Sequence, residues 1–180
     1  MTEHSPASPD PEKGKDCVGL VRVLCLGNDL LADDALGVAV AERIRELFPG
    51  QIDVVETPES GFNLMDHLLG SPRLVVIDTV MTGRAEPGTI YVLRENEMRA
   101  VPGASPHYIG LFETLAVGRQ LRLPVPEDVV IVAVEAADCF TVGGAMHPAV
   151  QAALSEVAGL VRELWRAPTP NKTVGGLRGC

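Results

Sequence analysis

Short apolar runs rich in β-branched residues alternate along this chain with segments whose apolar residues recur every three or four positions. The runs have the length and composition of buried strands, and the periodic segments are typical of amphipathic helices. Because strands and helices alternate, the pattern predicts an α/β fold with a mostly parallel sheet and helices on both faces. The predicted strands cover residues 21–26, 52–56, 74–78, 89–93 and 129–134, and the predicted helices cover 36–48, 64–69, 105–118 and 147–165.

The fourth predicted strand departs from the parallel pattern. About ten residues, among them Gly83, Pro87 and Gly88, separate it from the third strand. A parallel crossover normally needs a dozen or more residues and usually contains a helix. The fourth strand is therefore predicted to run antiparallel at the edge of a five-stranded sheet, in a three-layer sandwich. Residues 94–104 are long enough to return the chain to the carboxyl edge of the parallel strands, where open α/β sheets bind ligands.

Three segments are predicted to meet at that carboxyl edge. They are the loop at 27–37 after the first strand, Asp78 at the end of the third strand, and the start of the third helix at 105–110. Their convergence is expected to bring Asp34, Asp78 and His107 together. Two carboxylates and an imidazole form a sensible ligand set for a divalent metal, and imidazole suits nickel and zinc.

Each of these residues also has a purely structural interpretation. Asp33 or Asp34 could cap the first helix, because aspartate is a favoured N-cap residue, and taken alone the pair favours capping. Asp78 could form a turn at a strand end. A Ser-Pro pair opens the third helix and puts His107 in its first turn, where the positive helix end favours a neutral, metal-binding ring. A partly buried histidine bonded to the backbone is the alternative.

Signatures of other common sites are missing from the sequence. Gly27 is followed by Asn, Asp and Leu instead of a dinucleotide-binding G-x-G-x-x-G, and no phosphate-binding loop, H-E-x-x-H or G-x-S-x-G is present. Asp138, Cys139 and His147 follow the fifth strand near the same edge and are interpreted as loop residues, with His147 opening the last helix. Asn28 is expected to fix the first loop through its side chain.

The composition excludes several classes of partner. Of the 180 residues, 46% are hydrophobic and 22% charged, as in a globular domain. Lys and Arg number 15 against 24 Asp and Glu, a net charge of −9, so neither nucleic acid nor anionic lipid is expected to bind. No apolar run approaches the roughly 20 residues needed to span a bilayer. The four cysteines form no C-x-x-C pair, which indicates reduced thiols in a cytoplasmic protein.

One folded domain is expected at residues 19–166. Its length suits a single hydrophobic core. The proline-containing polar stretch at 1–18 and the polar stretch at 167–180 are predicted to be disordered tails. The first of these stretches has no apolar core of the kind found in secretory signals.

Four blocks of this sequence resemble the [NiFe]-hydrogenase maturation endopeptidases. They are LCLGNDLLADDALGVAVAERI, SGFNLMDHLL, VVIDTVMTGRAEPGTIYVL and SPHYIGL, in this order and spacing within residues 21–165. The resemblance implies a twisted five-stranded sheet between helices and a monomeric cytoplasmic protease. It further implies removal of a C-terminal extension from a hydrogenase large-subunit precursor after nickel insertion, so nickel is expected to arrive with the precursor.

The resemblance also assigns roles to individual residues. The family's two acidic metal-binding positions fall on Asp34 and Asp78, and its histidine falls on His107. The first position is Glu in some members and Asp in others, so the side chain here is the shorter one. The stretch EAADCFTVGGAMHPAV departs from the family's usual Gly-rich, Pro-containing sequence, which leaves the roles of Cys139 and His147 open.

Three functions are compatible with these residues at this point. In a protease, Asp34, Asp78 and His107 recognise the nickel, and either a metal-bound water or an aspartate acting as general base performs hydrolysis. In a nickel-binding chaperone or checkpoint module, the same residues sense the metal without cleavage. A small α/β domain that binds an organic ligand is the third possibility, and it predicts no nickel affinity at these residues.

Overall fold

One five-stranded sheet organises the chain. A computed structural model describes residues 21–98 and 106–167. The predicted tails lie outside these ranges except for Ala167, which is the C-cap residue directly after the last helix. The strands are β1 (Val21–Leu26), β2 (Asp53–Thr57), β3 (Arg73–Val80), β4 (Ile90–Arg94) and β5 (Asp128–Glu135), and they lie in the order β2-β1-β3-β5-β4.

Helices connect the strands much as the periodicity predicted. Single turns of 3-10 helix at Ala32–Ala35 and Gly61–Leu64 precede the first and the second α-helix. A four-residue helix at Glu95–Met98 was not predicted from the sequence. None of the helices in the described ranges has the length and hydropathy of a transmembrane segment. The helices are α1 (Leu36–Leu47), α2 (Met65–Leu68), α3 (Glu95–Met98), α4 (Pro106–Gln120) and α5 (Pro148–Arg166).

The sheet topology confirms the prediction for the fourth strand. β4 pairs with β5 in antiparallel register at the edge of the sheet, whereas β1, β2, β3 and β5 are mutually parallel. The third strand is longer than predicted, because its pairing with β5 continues past Asp78 to Thr79 and Val80. Asp78 therefore lies inside the strand, two residues before its end.

The core lies on both faces of the sheet. Along β1, Val23 and Cys25 join the cluster formed with α1 and α5, while Leu24 and Leu26 join the cluster formed with α2 and α4. Because neighbouring strand residues point to opposite faces, a continuous apolar run is what a doubly covered strand requires. The three-layer α/β sandwich predicted from the sequence is confirmed.

Candidate functional site

The loop after β1 brings Asp34 to the carboxyl edge of the sheet. Gly27 begins this loop with a φ of +146°, and a Cβ there would collide with the backbone oxygen of Asp34. Glycine therefore permits the close approach of the two backbone segments. The Asp34 carboxylate is buried, and its Oδ2 accepts a hydrogen bond from the Asn28 backbone N–H at 2.8 Å. As expected, Asn28 also fixes the loop through its side chain, whose Oδ1 accepts from the Leu30 N–H at 3.0 Å.

Asp78 and Asp34 are linked through one residue of β3. The Asp78 side chain is fully buried, and its Oδ1 accepts a hydrogen bond from the Thr79 N–H at 2.7 Å. The Thr79 hydroxyl donates to Asp34 Oδ1 at 3.2 Å. The two aspartates that the sequence predicted to converge are thus held by the backbone and the side chain of the same threonine.

The alternative interpretation of Asp33 or Asp34 as a helix cap is wrong. Neither the 3-10 turn nor α1 has a side-chain cap in its first turn. Instead the buried Asp33 carboxylate accepts hydrogen bonds from three backbone N–H groups beyond β5, those of Ala137 (2.7 Å), Asp138 (2.9 Å) and His147 (2.6 Å). Asp33 therefore fastens the β5–α5 loop to the β1–α1 loop.

Cys139 lies in that fastened loop and borders the same site. Its Sγ donates to the Thr79 hydroxyl at a donor–acceptor distance of 3.5 Å. Burial, together with the negative charges of Asp34, Asp33 and Asp78, raises the pKa of the Cys139 thiol from 9.0 to about 11, although its hydrogen bond with Thr79 acts in the opposite direction. The thiol is therefore protonated at neutral pH and acts as a donor, which makes it a poor nucleophile. His147 opens α5 as predicted, and its Nδ1 accepts from the Ala149 N–H at 3.2 Å.

The first turn of α4 carries the backbone of His107. The His107 side chain and Ser105 lie outside what the structure describes. Three residues along the helix, Gly110 packs so closely on Gly61 that a Cβ at Gly110 would collide with the Gly61 backbone. Gly61 comes four residues after the carboxyl end of β2. The start of α4 therefore lies at the carboxyl edge, as predicted, while the role of His107 remains a prediction.

The donor set in the described ranges is incomplete as a metal site. Within residues 21–98 and 106–167, no group of three or more His, Cys, Asp or Glu side chains is arranged to hold a metal ion. Asp34 and Asp78 supply carboxylate oxygens, and a nitrogen ligand from His107 would complete the predicted trio.

A fourth buried carboxylate, that of Glu135, shapes the neighbouring loop. It ends β5 and accepts hydrogen bonds from the N–H groups of Thr82 (2.7 Å) and Gly83 (2.8 Å), the Thr82 hydroxyl (2.6 Å) and the Tyr91 hydroxyl (3.0 Å). Partial burial raises the pKa of Tyr91, so its hydroxyl stays a donor at neutral pH. With its oxygens taken by four donors, Glu135 stabilises the loop between β3 and β4.

Exposed apolar side chains surround the carboxyl edge. The paired loops after β1 and β5 are joined by an antiparallel bridge between Leu31 and Val142 and by a hydrogen bond from the Gly143 N–H to the Leu30 carbonyl oxygen. Large apolar side chains are exposed on ordered loops here, which is typical of a binding surface. We call them the apolar rim: Leu30 (62% exposed), Phe62 (62%), Met81 (37%), Phe140 (75%) and Val142 (77%).

Comparison with known proteins identifies the family. A family model described as hydrogenase maturation protease matches residues 38–163. The chain belongs to the hydrogenase maturation protease family. Asp78 and His107 lie within the matched range, and Asp34 lies four residues before it.

Individual hydrogenase maturation relatives agree with this assignment. The hydrogenase 2 maturation protease of Escherichia coli (strain K12) is 30% identical over 103 residues, which cover 55% of this chain and 63% of the relative. The match thus spans less than two thirds of that protein. The hydrogenase expression/formation protein HupD of Rhodobacter capsulatus is 31% identical over 150 residues, 80% of this chain and 70% of the relative.

Solved structures show the same architecture. The hydrogenase maturating endopeptidase HybD from Escherichia coli superposes with a TM-score of 0.71 and 26% sequence identity, over 81% of this chain and 91% of that one. The [NiFe] hydrogenase maturation protease HybD from Thermococcus kodakarensis superposes with a TM-score of 0.67 and 22% identity, over 81% and 99%, and supports the fold alone.

Two polar residues at or beside the candidate site were not predicted from the sequence. Thr79 was not predicted as a site residue, although it directly follows the candidate ligand Asp78 and places a hydroxyl in an otherwise apolar strand. Glu135 was not predicted either, although it comes directly after the predicted fifth strand at the same edge. A polar side chain at the carboxyl end of an otherwise apolar strand is the signal that indicates both residues.

Proposed function

We propose that this chain is an endopeptidase that removes a C-terminal extension from a [NiFe]-hydrogenase large-subunit precursor after nickel has been inserted. The observation that carries the proposal is the pair of buried carboxylates, Asp34 and Asp78, joined through Thr79 at the carboxyl edge of the sheet. Family membership supports the reaction class. We propose further that the enzyme works as a cytoplasmic monomer.

In this proposal Asp34, Asp78 and His107 recognise nickel that the precursor presents. Carboxylate oxygens and an imidazole nitrogen are suitable ligands for this ion. Recognition of the ion would then place the adjacent C-terminal peptide over the same sheet edge and restrict cleavage to loaded precursor.

Hydrolysis adds a water oxygen to the scissile carbonyl carbon, breaks the C–N bond and delivers a proton from water to the leaving amine. A carboxylate at hydrogen-bonding distance from the water can carry that proton. Nickel in the substrate can lower the pKa of the attacking water and polarise the carbonyl. Asp34 and Asp78 can each act as the general base or as a ligand of the nickel, since both carry a carboxylate at the carboxyl edge.

The apolar rim supports docking of a polypeptide beside this site. Leu30 lies four residues before Asp34, and Phe140 follows Cys139, whose thiol contacts Thr79. These two rim residues therefore lie in the loops that carry Asp34 and Cys139. We infer that an apolar segment of the precursor next to the cleaved bond covers the rim, because burial of such side chains stabilises a complex.

Variants of the three recognition residues test this function. Wild-type protein, Asp34→Asn, Asp78→Asn and His107→Ala are incubated with nickel-loaded precursor, and the precursor mass is measured. We expect each variant to lose processing while its circular dichroism and unfolding midpoint stay close to those of the wild type. Asp29→Asn, an exposed change in the same loop, is the control and should retain activity. Normal processing by a folded His107→Ala or Asp34→Asn variant would refute the assignment.

A further inference from the structure

We propose that Thr79 is a positioning residue that holds the Asp34 and Asp78 carboxylates in the mutual geometry that precursor processing requires. The inference rests on the proposed function, since it assigns those carboxylates to the reaction. It goes beyond that function by naming an additional residue, one that does not touch the substrate.

The contacts of Thr79 explain this role. The residue is 2% exposed, and its backbone position is fixed by pairing with Val134 of β5. Its N–H donates to Asp78 Oδ1 at 2.7 Å, and its hydroxyl donates to Asp34 Oδ1 at 3.2 Å. One residue of a central strand therefore couples two carboxylates that lie 44 positions apart in sequence.

The direction of these hydrogen bonds follows from the donors available. An ionised carboxylate only accepts, so the single hydroxyl proton of Thr79 points to Asp34. The Cys139 thiol then donates to the Thr79 oxygen at 3.5 Å. Cys139, Thr79 and Asp34 thus form a chain of hydrogen bonds with one direction, and this chain fixes the rotamer of the threonine.

Replacing the hydroxyl with a methyl group isolates this effect. Thr79→Val keeps the side-chain volume, the β-branched shape and the backbone N–H that binds Asp78. It removes the two hydrogen bonds of the hydroxyl, the one to Asp34 and the weaker one from the Cys139 thiol. Partners that orient a metal-binding carboxylate typically contribute 10- to 100-fold to affinity or activity. We therefore expect kcat to fall about 10- to 100-fold in Thr79→Val, with KM changed by less than about threefold.

The experiment measures kcat and KM of processing with nickel-loaded large-subunit precursor. Thr79→Ser, which restores a hydroxyl, should recover at least a third of wild-type kcat, whereas Thr79→Val should not. Ser71→Ala is the control, because Ser71 is a buried residue at the amino end of β3 whose hydroxyl donates to the Arg73 carbonyl oxygen at 2.9 Å, at the opposite edge of the sheet from the two aspartates. Its kcat should stay near the wild-type value.

The outcomes separate this inference from the proposed function. If wild-type protein cleaves the precursor, Asp34→Asn does not, and Thr79→Val keeps wild-type kcat, the positioning role is wrong while the function stands. If wild-type protein fails to cleave precursor that carries nickel, the proposed function itself fails. A loss of kcat in Ser71→Ala equal to that in Thr79→Val would assign the effect to a lost buried hydrogen bond in general and overturn the inference.

Discussion

The carboxylates of Asp33 and Asp34 are adjacent in sequence and both buried, yet they bind different parts of the molecule. Asp33 accepts three backbone N–H groups of the β5–α5 loop, whereas Asp34 accepts from Asn28 and Thr79. Asp33 therefore holds the two loops of the candidate site together, whereas Asp34 is itself one of the candidate site residues. This division gives the two residues different expected mutant phenotypes.

Removal of the Asp33 carboxylate should destabilise the protein. Asp33→Ala leaves three backbone N–H groups without their charged acceptor, and we expect a loss of about 2–3 kcal/mol in the free energy of unfolding. Urea denaturation followed by circular dichroism measures it. Asp29→Ala, at an exposed position of the same loop, should stay within about 0.5 kcal/mol of the wild type. Equal midpoints for the two variants would contradict the role given to Asp33.

Gly27 should tolerate no side chain. A Cβ at this position would collide with the Asp34 backbone oxygen, and the backbone already has a φ of +146°. We expect Gly27→Ala to lower the free energy of unfolding by more than about 2 kcal/mol and to reduce processing, because Asp34 must shift. Gly50 also has a positive φ, of +69°, but has open space around it, so Gly50→Ala should cost only about 1 kcal/mol. Equal losses would refute the close-approach explanation.

The order of elements and the course of the sheet could be predicted because they depend on local pattern and chain length. Strand β1 was predicted with its observed bounds, and the antiparallel β4 followed from the short connection before it. The length of β3 could not be predicted, because its last two residues are strand only through pairing with β5. The partners of Asp33 could not be predicted either. An aspartate at a helix start favours capping, and only the folded structure brings the three N–H groups beyond β5 to the Asp33 carboxylate.

The Cys139 thiol should react slowly with alkylating agents. Its pKa is raised from 9.0 to about 11 by burial, so the thiolate fraction near pH 8 is about 100-fold lower than for an ordinary thiol. Iodoacetamide labelling followed by peptide mass spectrometry measures the rate at Cys139 in folded and urea-unfolded protein. Because the pKa is raised, the neutral thiol stabilises the folded state fully below pH 9 and loses this effect as the pH rises toward 11. A folded-state rate equal to the unfolded one at pH 8 would contradict the described burial.

The apolar rim should affect substrate binding more than chemistry. Phe140→Ser removes the side chain that is 75% exposed, so the fold should be unaffected. We expect KM for the precursor to rise about tenfold with kcat nearly unchanged, since burial of a phenylalanine contributes about 1.5–3 kcal/mol. Leu121→Ser is the matched control. Leu121 directly follows α4 and is 63% exposed, far from the rim, so its replacement should leave KM unchanged. An unchanged KM in Phe140→Ser would remove the rim from the docking surface.

The candidate site was predictable in part. The order of the strands was enough to predict that Asp34 and Asp78 lie at the same edge of the sheet, because this edge is fixed by the fold. Their connection through Thr79 was not predictable, because it depends on the position of one hydroxyl relative to a loop 45 residues away. Glu135 escaped notice for the same reason, since its four donors come from another loop and another strand.

The most direct test of nickel-gated C-terminal processing is the intact mass of the precursor. Large-subunit precursor, loaded with nickel or left empty, is incubated with this protein, and both samples are analysed by mass spectrometry. We expect the loaded precursor alone to lose one defined C-terminal peptide, whose mass gives the cleavage site. An unchanged mass of precursor that is confirmed to carry nickel, or equal cleavage of the empty form, would contradict the account.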